Sequence, residues 1–460
     1  MNQKLEEFKE ELKQKKIAVI GAGVSNLPLI TYLKNLGCHI TLFDKKCLEE
    51  MSEQAQEVIQ KTNISLSLGE NYLEKLFGFD MIFRSPSFLP TQEALVKEQS
   101  RGAIVTTEIE QVIRLAPCKV IGVTGSKGKT TTTTIIHHIL TSLGYHTYLG
   151  GNIGTPLFNQ LDNMKKEDIV VLELSSFQLM NMEVSPDIAV ITNISPDHLD
   201  IHGSYEEYID AKKYIFKNQV KGNLLVLNQE DTIVKEFFQE AKGQVRYFGG
   251  TSTNDGYYLE ENFIKHKGEE VADTRKFLLK GRHNYLNICA ALNAILEYIH
   301  VSNHELESII SKIHGVPHRL ELVREVNGIP WYNDSASTTP DKTLAGIYAF
   351  DQDIVLIAGG YDKNISYEPL AQPILDKVSK LILFGDTKNK IYDAVMNLKK
   401  KTSKDIQIYV MDTLEEVVDI AYQVSVLGEV VLFSPASASF DMFQNAYQRG
   451  DQFKELVQKL

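Results

Sequence analysis

The sequence predicts an α/β protein of three domains, in which mostly parallel sheets are covered by helices. Short apolar runs alternate with helix-length amphipathic segments along the chain. Strand-like runs lead into glycine-rich turns at residues 21–26 and 125–130, and a further series of runs begins after residue 316. The length of 460 residues exceeds one ordinary domain of about 100–200 residues. We place the domains at residues 1–108, 109–315 and 316–460.

The first domain is predicted to be Rossmann-like. Its opening run KKIAVIGAG is typical of a strand that enters a glycine turn, and residues 28–36 are expected to form the helix that follows. Three later apolar runs complete the predicted parallel sheet; they are HITLFDKK, FDMIFRSP and GAIVTTE.

The glycine turn of this domain resembles a dinucleotide-binding fingerprint with one change. Gly21 and Gly23 are present, but Asn26 stands where the third glycine belongs. Asp44 ends the next strand, where an acid that binds ribose would lie. The pattern predicts contact with a nucleotide or diphosphate. An NAD-dependent oxidoreductase, which the missing glycine disfavours, and a turn needed only for packing are the alternatives.

The second domain is predicted to bind nucleotide phosphates in the loop at residues 125–130. This loop follows the run KVIGV and opens a threonine-rich helix, so its backbone N–H groups and the helix N-terminus can surround a phosphate. Lys129 would contact the β- and γ-phosphates, and the Thr130 hydroxyl can bind Mg²⁺. The usual spacing would put glycine at position 123, which is valine, so the loop is a variant of the phosphate-binding motif.

Two further side chains are predicted to reach the phosphates from neighbouring strand ends. Glu173 ends the run VVLE, and His198 follows the run IAVITNIS. Because the carboxyl ends of parallel strands share one sheet edge, both can approach a second Mg²⁺. Magnesium prefers oxygen ligands, so contact of His198 with substrate or with a metal-bound water is an alternative, as is a structural role for Glu173.

Lys212 and Lys213 lie in a segment with helical periodicity. Its apolar side chains are expected to face inward, and a lysine beside such a face usually extends its ammonium group to solvent. These residues taken alone indicate no catalytic role for either lysine.

The third domain is expected to be Rossmann-like, since it carries a series of apolar strands separated by helix-length segments. Fully apolar strands are typical of parallel sheets that are covered on both faces. The runs are DIVLIAGG, KLILFGD, IQIYVM and EVVLFSPAS.

Composition excludes several classes of protein. The net charge of −12 disfavours a broad nucleic-acid-binding face. No apolar run approaches the length of about 20 residues that a membrane span requires. The charged first segment lacks the apolar core of a secretory signal, so we expect a cytoplasmic protein with neither nucleic-acid nor membrane partners.

Several ordered motifs resemble those of the Mur ligases of peptidoglycan synthesis over nearly the whole chain. They are VTGSKGKTTTTTII, GGNIGTP, LELSSFQL, TNISPDHLD, GRHNYLNICAA, HRLE, NDSASTTP and SPASASFDMF. The central motifs are shared with folylpolyglutamate synthases. GAGVSN, LELSSFQL and SPASASFD resemble the branch that adds D-glutamate to UDP-N-acetylmuramoyl-L-alanine, and the DNPR motif of diaminopimelate-adding relatives is absent.

The resemblance implies three domains that bind the UDP substrate, ATP and the amino acid, and that close around them. It implies a cytoplasmic, monomeric, ATP-dependent ligase, which joins the two substrates through an acyl phosphate with two Mg²⁺ ions. A family ligase that uses L-glutamate or another acceptor is an alternative. A non-catalytic nucleotide-binding scaffold is another.

The resemblance also assigns residues. Lys129, Glu173, His198, Lys212 and Arg319 are implied to be catalytic, with Lys212 carbamylated. The implied ATP contacts are Gly125, Ser126, Lys127, Gly128, Lys129, Thr130, Thr131, Asn284, Asn287, Arg319 and Asp334. The implied metal ligands are Thr130, Glu173, His198 and Lys212. The implied substrate contacts are Gly23, Ser25, Asn26, Asp44, Asn152, Ser175 and His198, with Thr338, Lys363, Ser439 and Phe440 toward the glutamate.

Three positions depart from the family pattern. Ala336 stands where many members have lysine, and Ser87 replaces the glycine of the usual SPG. Ala446 stands where an aromatic residue usually helps to hold the incoming glutamate. The last departure bears on the amino-acid pocket and on the stereochemistry of the glutamate.

Overall fold

Strands and helices alternate along the computed structural model, which describes residues 2–197, 199–250, 255–400 and 406–460. The chain divides into two units, Met1–Glu270 with Leu286–Val301 and Val271–Tyr285 with Ser302–Leu460. The predicted α/β class with mostly parallel sheets is confirmed. The domain boundaries at residues 108 and 316 stay a prediction.

The first sheet has five parallel strands in the order β3-β2-β1-β4-β5. This order places β1 and the glycine turn that follows it at the centre of the sheet, with β2 and β4 on either side. The elements are α1 (Gln3–Lys13), β1 (Lys16–Ile20), α2 (Asn26–Asn35), β2 (His39–Asp44), α3 (Glu53–Thr62), β3 (Ser65–Leu68), β4 (Met81–Arg84), α4 (Glu93–Ser100), β5 (Ile104–Thr106) and α5 (Glu108–Leu115).

The second sheet has six parallel strands in the order β11-β10-β9-β6-β8-β7. Its central strands β6, β8, β9 and β10 are almost wholly buried, as continuous apolar runs predict. The elements are β6 (Lys119–Thr124), α6 (Lys129–Ser142), β7 (Thr147–Gly151), β8 (Ile169–Glu173), α7 (Ser176–Leu179), β9 (Ile188–Ile191), α8 (Leu199–His202), α9 (Tyr205–Lys217), β10 (Leu224–Asn228) and β11 (Gln244–Phe248).

A small three-stranded sheet and two helices follow. Asn293 of α10 is fully buried and exchanges two hydrogen bonds with the backbone of Tyr257, at 3.0 and 2.8 Å, which attaches β12 to this helix. The elements are β12 (Tyr257–Glu260), β13 (Phe263–His266), β14 (Glu269–Asp273), α10 (Arg282–Ala294) and α11 (Asn303–Ser311).

The last sheet has six strands in the order β15-β16-β20-β17-β18-β19, and only β15 runs antiparallel to its neighbour. Apolar side chains of the parallel strands fill a core on each face. The elements are β15 (Glu321–Val326), β16 (Ile329–Asn333), α12 (Pro340–Ile347), β17 (Ile354–Gly359), α13 (Glu368–Lys377), β18 (Val378–Phe384), α14 (Lys388–Lys399), β19 (Gln407–Val410), α15 (Leu414–Val424), β20 (Val430–Phe433) and α16 (Ala446–Lys459).

Every strand predicted from an apolar run is present at its predicted place. Within the described ranges, no helix is both long and apolar enough to cross a membrane. Three of the predicted site residues, Asp44, Glu173 and Asp334, lie at the carboxyl ends of β2, β8 and β16, which is where open parallel sheets bind their ligands.

Candidate active site

The phosphate loop joins the end of β6 to the start of α6, as predicted. Gly125 and Gly128 have φ angles of +148° and +84°, which favour glycine. A Cβ on Gly125 would lie 1.9 Å from Thr192 Oγ1, and one on Gly128 would lie 2.6 Å from Asn287 Oδ1. Both glycines are therefore required by backbone conformation and by the close approach of neighbouring side chains.

Lys129 and Lys212 meet at this loop. Lys129 Nζ donates to the carbonyl oxygens of Gly125 and Ser126, at 2.8 and 2.9 Å. Lys212 Nζ donates to the same Gly125 oxygen at 2.8 Å and lies 4.5 Å from the centre of the Tyr208 ring. The predicted phosphate-binding lysine and the predicted carbamylated lysine are thus brought together.

The surroundings of Lys212 favour its neutral form. Burial and then the positive charge of Lys129 hold the pKa of Lys212 well below its ordinary value, against opposing contributions from Asp197 and Glu173. The expectation that this lysine extends to solvent is wrong, because its side chain is buried on the inner face of α9. Lys213 does reach the surface, where it forms an ion pair with Glu240.

Glu173 ends β8 beside the loop, and only one of its two carboxylate oxygens accepts a hydrogen bond from the described residues. Oε1 accepts a hydrogen bond from Asn152 Nδ2 at 2.8 Å. Oε2 is buried and has no hydrogen-bond partner among the described residues. A buried carboxylate oxygen without a partner is costly, and a hard cation such as Mg²⁺ would satisfy it. The oxygen donors of Glu173 and Thr130 therefore suit this ion, and His198, the remaining predicted ligand, lies outside the described residues.

Thr192 and Asn193 directly follow β9 and hold the phosphate loop in place. The sequence predicted no role for either residue. Asn193 accepts from Lys127 N–H at 2.9 Å through Oδ1 and donates to the Lys127 carbonyl at 2.8 Å through Nδ2. Thr192 Oγ1 donates to the same carbonyl at 2.6 Å. The signal was in the sequence, since both residues belong to the motif TNISPDHLD.

A buried hydroxyl pair fixes the loop to α9. Ser126 Oγ and Tyr208 OH are 2.8 Å apart, and Ser126 Oγ also donates to the Ser195 carbonyl at 2.9 Å. Burial raises the pKa of Tyr208 to about 12, so this hydroxyl keeps its proton. The same helix that carries Lys212 is therefore joined to the phosphate loop.

Asn152 and Ser175 lie on either side of the Glu173 strand end. Asn152 N–H donates to the Glu173 carbonyl at 2.9 Å. The Ser175 hydroxyl caps α7 and bonds to the Gln178 side chain at 3.0 Å. Both predicted substrate contacts lie close to the predicted metal ligand, and the Ser175 hydroxyl also has a structural role.

The first glycine turn is stabilised by its own side chains. Asp44 Oδ2 accepts from Ala22 N–H at 2.7 Å. Asn26 is buried and donates to the carbonyls of Ile20 and Gly21, at 3.1 and 2.9 Å. At the position of the third glycine in the fingerprint, the Asn26 side chain therefore supplies hydrogen bonds to two carbonyl groups of the turn. The predicted substrate residues Gly23 and Ser25 border the same turn.

In the second unit, Asp334 lies directly after β16. Its Oδ1 accepts from Leu320 N–H at 3.2 Å, and its Oδ2 accepts from Ser434 Oγ at 2.7 Å. Burial raises the pKa of Asp334 to about 6, and this rise is opposed by hydrogen bonds from Ser337, Ser434 and Leu320 and then by the positive charge of Arg319. The structure thus places the predicted ribose contact beside the predicted phosphate-binding arginine.

The predicted glutamate-binding residues occupy loops at the strand ends of the last sheet. Ser439 is buried, and Phe440 is exposed and packs against Tyr361 with ring centres 5.9 Å apart. Lys363 is exposed in the loop after β17, and Thr338 lies before α12.

The described site residues fall into two sets. One set, around the phosphate loop, lies in the first unit and includes Thr131 and Asn287. The other set, which includes Asn284 and Arg319, lies in the second unit.

Comparison with known proteins gives one consistent family. The family description "Mur ligase middle domain" matches residues 123–295, and "Mur ligase, glutamate ligase domain" matches residues 318–437. The chain is 46% identical over 461 residues to UDP-N-acetylmuramoylalanine--D-glutamate ligase of Clostridium botulinum (strain Langeland / NCTC 10281 / Type F), with 100% of each chain covered. It is 46% identical over 462 residues to the protein of that name from Clostridium perfringens (strain 13 / Type A), again with 100% of each covered.

A solved structure agrees with the fold. UDP-N-acetylmuramate-alanine ligase MurC from Thermotoga maritima superposes with a TM-score of 0.59 at 20% identity, over 97% of this chain and 100% of that one. The family matches and the full-length relatives together carry the assignment: this chain belongs to the Mur ligase family.

Proposed function

We propose that this chain catalyses ATP-dependent addition of D-glutamate to UDP-N-acetylmuramoyl-L-alanine in the synthesis of peptidoglycan precursors. One observation carries the proposal. Lys129 and Lys212 both bond to the phosphate loop, and beside it lies Glu173, whose Oε2 has no hydrogen-bond partner among the described residues. The names of relatives that are 46% identical over the whole chain support the choice of substrates.

The first step activates a poor electrophile. The carboxylate of the substrate's alanine attacks the γ-phosphorus of ATP, so that ADP leaves and an acyl phosphate forms. Backbone N–H groups of the loop and the Lys129 ammonium group stabilise the negative charge of the phosphates. Lys129 leaves the loop carbonyls to make this contact. Arg319 supplies a second positive charge toward the γ-phosphate.

The second step forms the amide. The amine of glutamate attacks the acyl carbon, and the tetrahedral intermediate collapses with loss of inorganic phosphate. The amine must be neutral to attack, so its proton passes to a base, for which His198 and the phosphate itself are the candidates. Closure of the site excludes water, which would otherwise hydrolyse the acyl phosphate.

Lys212 is proposed to be carbamylated. The lowered pKa of Lys212 favours the neutral amine, which can form an N–C bond with CO₂ and release one proton. The product is a carboxylate on the buried side of the loop, in a place where an ammonium group beside Lys129 is disfavoured.

Magnesium is proposed as the metal, held by Thr130, Glu173, His198 and the carbamate of Lys212. When bound, it neutralises charge on the phosphates during transfer. A cation there is supported by Oε2 of Glu173, which is buried and has no hydrogen-bond partner among the described residues.

The amino acid is proposed to be held by Thr338, Lys363, Ser439 and Phe440. Ala446 does not provide the aromatic side chain that is usual at this place in the family, so L-glutamate is the alternative to test. We also propose a cytoplasmic monomer that binds only small molecules.

The test is release of phosphate and ADP with ATP, UDP-N-acetylmuramoyl-L-alanine, and D- or L-glutamate supplied side by side. We expect release only when all three substrates are present and only with D-glutamate. Equal release without the amino acid or without the UDP substrate would contradict the proposal, and release with L-glutamate alone would change the amino acid.

A further inference from the structure

The segment HRLE, at residues 318–321, has an unusual backbone. His318 and Leu320 have φ angles of +66° and +44°, in the left-handed region that residues other than glycine rarely adopt. Arg319 lies between them, so this arginine is flanked on both sides by residues in the left-handed conformation. Such a conformation persists only where the surrounding structure holds it.

Two carboxylates hold this turn. Glu321 Oε2 accepts from His318 N–H at 2.8 Å, and Asp334 Oδ1 accepts from Leu320 N–H at 3.2 Å. The amides on both sides of Arg319 therefore end on negatively charged acceptors, which form stronger hydrogen bonds than neutral ones. Asn333 Nδ2 donates to Glu321 Oε2 at 3.2 Å and keeps this oxygen in place.

Burial on both sides of the turn has a consequence for Arg319. His318 and Leu320 are 4% and 6% exposed, whereas Arg319 between them is exposed. The backbone is anchored at both neighbours, and the arginine is the residue that the turn presents to solvent. Loss of either carboxylate would leave the turn free to relax and Arg319 free to change direction.

We propose that Glu321 is a positioning residue that holds the turn from which Arg319 reaches the γ-phosphate of ATP. The inference rests on the proposed function, which gives Arg319 this contact. The second oxygen of Glu321 has a different neighbour, Lys454, at 3.3 Å. This separation allows the ion pair to be removed while the hydrogen bond to the turn stays.

The experiment measures, by calorimetry on the whole chain with Mg²⁺, the affinities for β,γ-methylene-ATP and for ADP. Because Arg319 is proposed to contact only the γ-phosphate, E321A should bind the ATP analogue about tenfold more weakly and ADP as before. E321Q keeps an acceptor at the same reach and should retain the preference for the ATP analogue. E321D keeps the charge but is one methylene shorter, and should lose that preference. K454Q, the matched control, should behave as the original chain.

Each outcome decides the matter. An unchanged preference in E321A, or equal loss in E321Q and E321D, would overturn the positioning role. If E321A does not fold, the comparison of E321Q with E321D still tests it. R319A separates this inference from the proposed function: if R319A keeps the preference for the ATP analogue, the phosphate contact itself is wrong. If R319A loses it while E321A and E321D keep it, only the role of Glu321 is wrong.

Discussion

The ammonium nitrogens of Lys129 and Lys212 share one acceptor, the carbonyl oxygen of Gly125, and each lies 2.8 Å from it. Two cations on one acceptor repel each other, and the charge of Lys129 adds to burial in lowering the pKa of Lys212. The arrangement favours one charged and one neutral lysine. It therefore suits a loop in which one lysine binds phosphate and the other is modified.

The first prediction concerns Lys129. K129A should reduce turnover to less than about 1% of the original rate, because it removes the side-chain charge that is proposed to stabilise the phosphates. It should also raise the pKa of Lys212, since the repelling neighbour is gone. Phosphate release in the presence of all three substrates measures the first effect.

K119A is the control for this variant. Lys119 lies at the other end of β6, where it pairs with Asp187 on the surface at 2.9 Å. We expect K119A to turn over normally. Normal turnover in K129A would remove the phosphate loop from the mechanism.

The second prediction concerns Lys212. K212A should lose most of its activity, and a small carboxylate such as acetate should restore part of it by occupying the place of the carbamate. K213A, one residue along the same helix, removes ion pairs with Glu240 and Asp210 and a contact with the Phe237 ring, all away from the phosphate loop, and should remain active. Full activity of K212A without added acid would exclude Lys212 from the site.

Much of this site could be predicted from the sequence because its residues lie in contiguous motifs. A strand followed by a glycine loop and a helix forms a recognisable local motif, and this motif fixes the position of Lys129. The position of Lys212 could not be predicted from periodicity, since a lysine at the edge of an apolar face usually reaches solvent. Its ammonium group instead donates to the carbonyl of Gly125, 87 residues away in the sequence.

The fold, like the site, could be predicted from the sequence only in part. The apolar parallel strands of the three large sheets were predictable, because burial on both faces leaves a continuous apolar run in the sequence. The small sheet β12–β14 was not, since its strands mix polar and apolar residues without a clear period over only four or five positions. β12 bonds to Asn293, a buried amide within α10, and no local sequence pattern reveals this contact.

The third prediction concerns Asn193, whose side chain holds Lys127 N–H and C=O at 2.9 and 2.8 Å. N193A should weaken ATP binding about tenfold and lower the free energy of unfolding by about 1–3 kcal/mol, because two hydrogen bonds to the loop are lost. Calorimetric titration and chemical unfolding measure the two effects. N163A, which removes an exposed amide bonded to Gln160, is the control and should change neither. Intact ATP affinity in N193A would show that the loop does not need this anchor.

The last prediction concerns Glu108, a buried carboxylate at the start of α5. Its Oε1 accepts from the backbone N–H groups of Leu157 and Phe158 at 3.1 and 2.8 Å. Burial nevertheless raises the pKa of Glu108 from 4.5 to about 7. The folded protein therefore holds a proton that the unfolded chain releases between these two values. It follows that this group contributes stability that is complete below pH 4.5 and is lost as the pH rises through 7.

E108Q should remove this dependence, because glutamine stays neutral and its amide oxygen can still accept both N–H groups. The free energy of unfolding of E108Q, relative to the original chain, should rise between pH 5 and pH 8 by an amount on the order of 3 kcal/mol. Denaturant unfolding at a series of pH values measures the difference. E167Q, at an exposed glutamate of the same unit, controls for the loss of one charge. Parallel curves for E108Q and the original chain would show that Glu108 is ionised in the folded protein throughout this range, because only a proton held in the folded state can produce the predicted divergence.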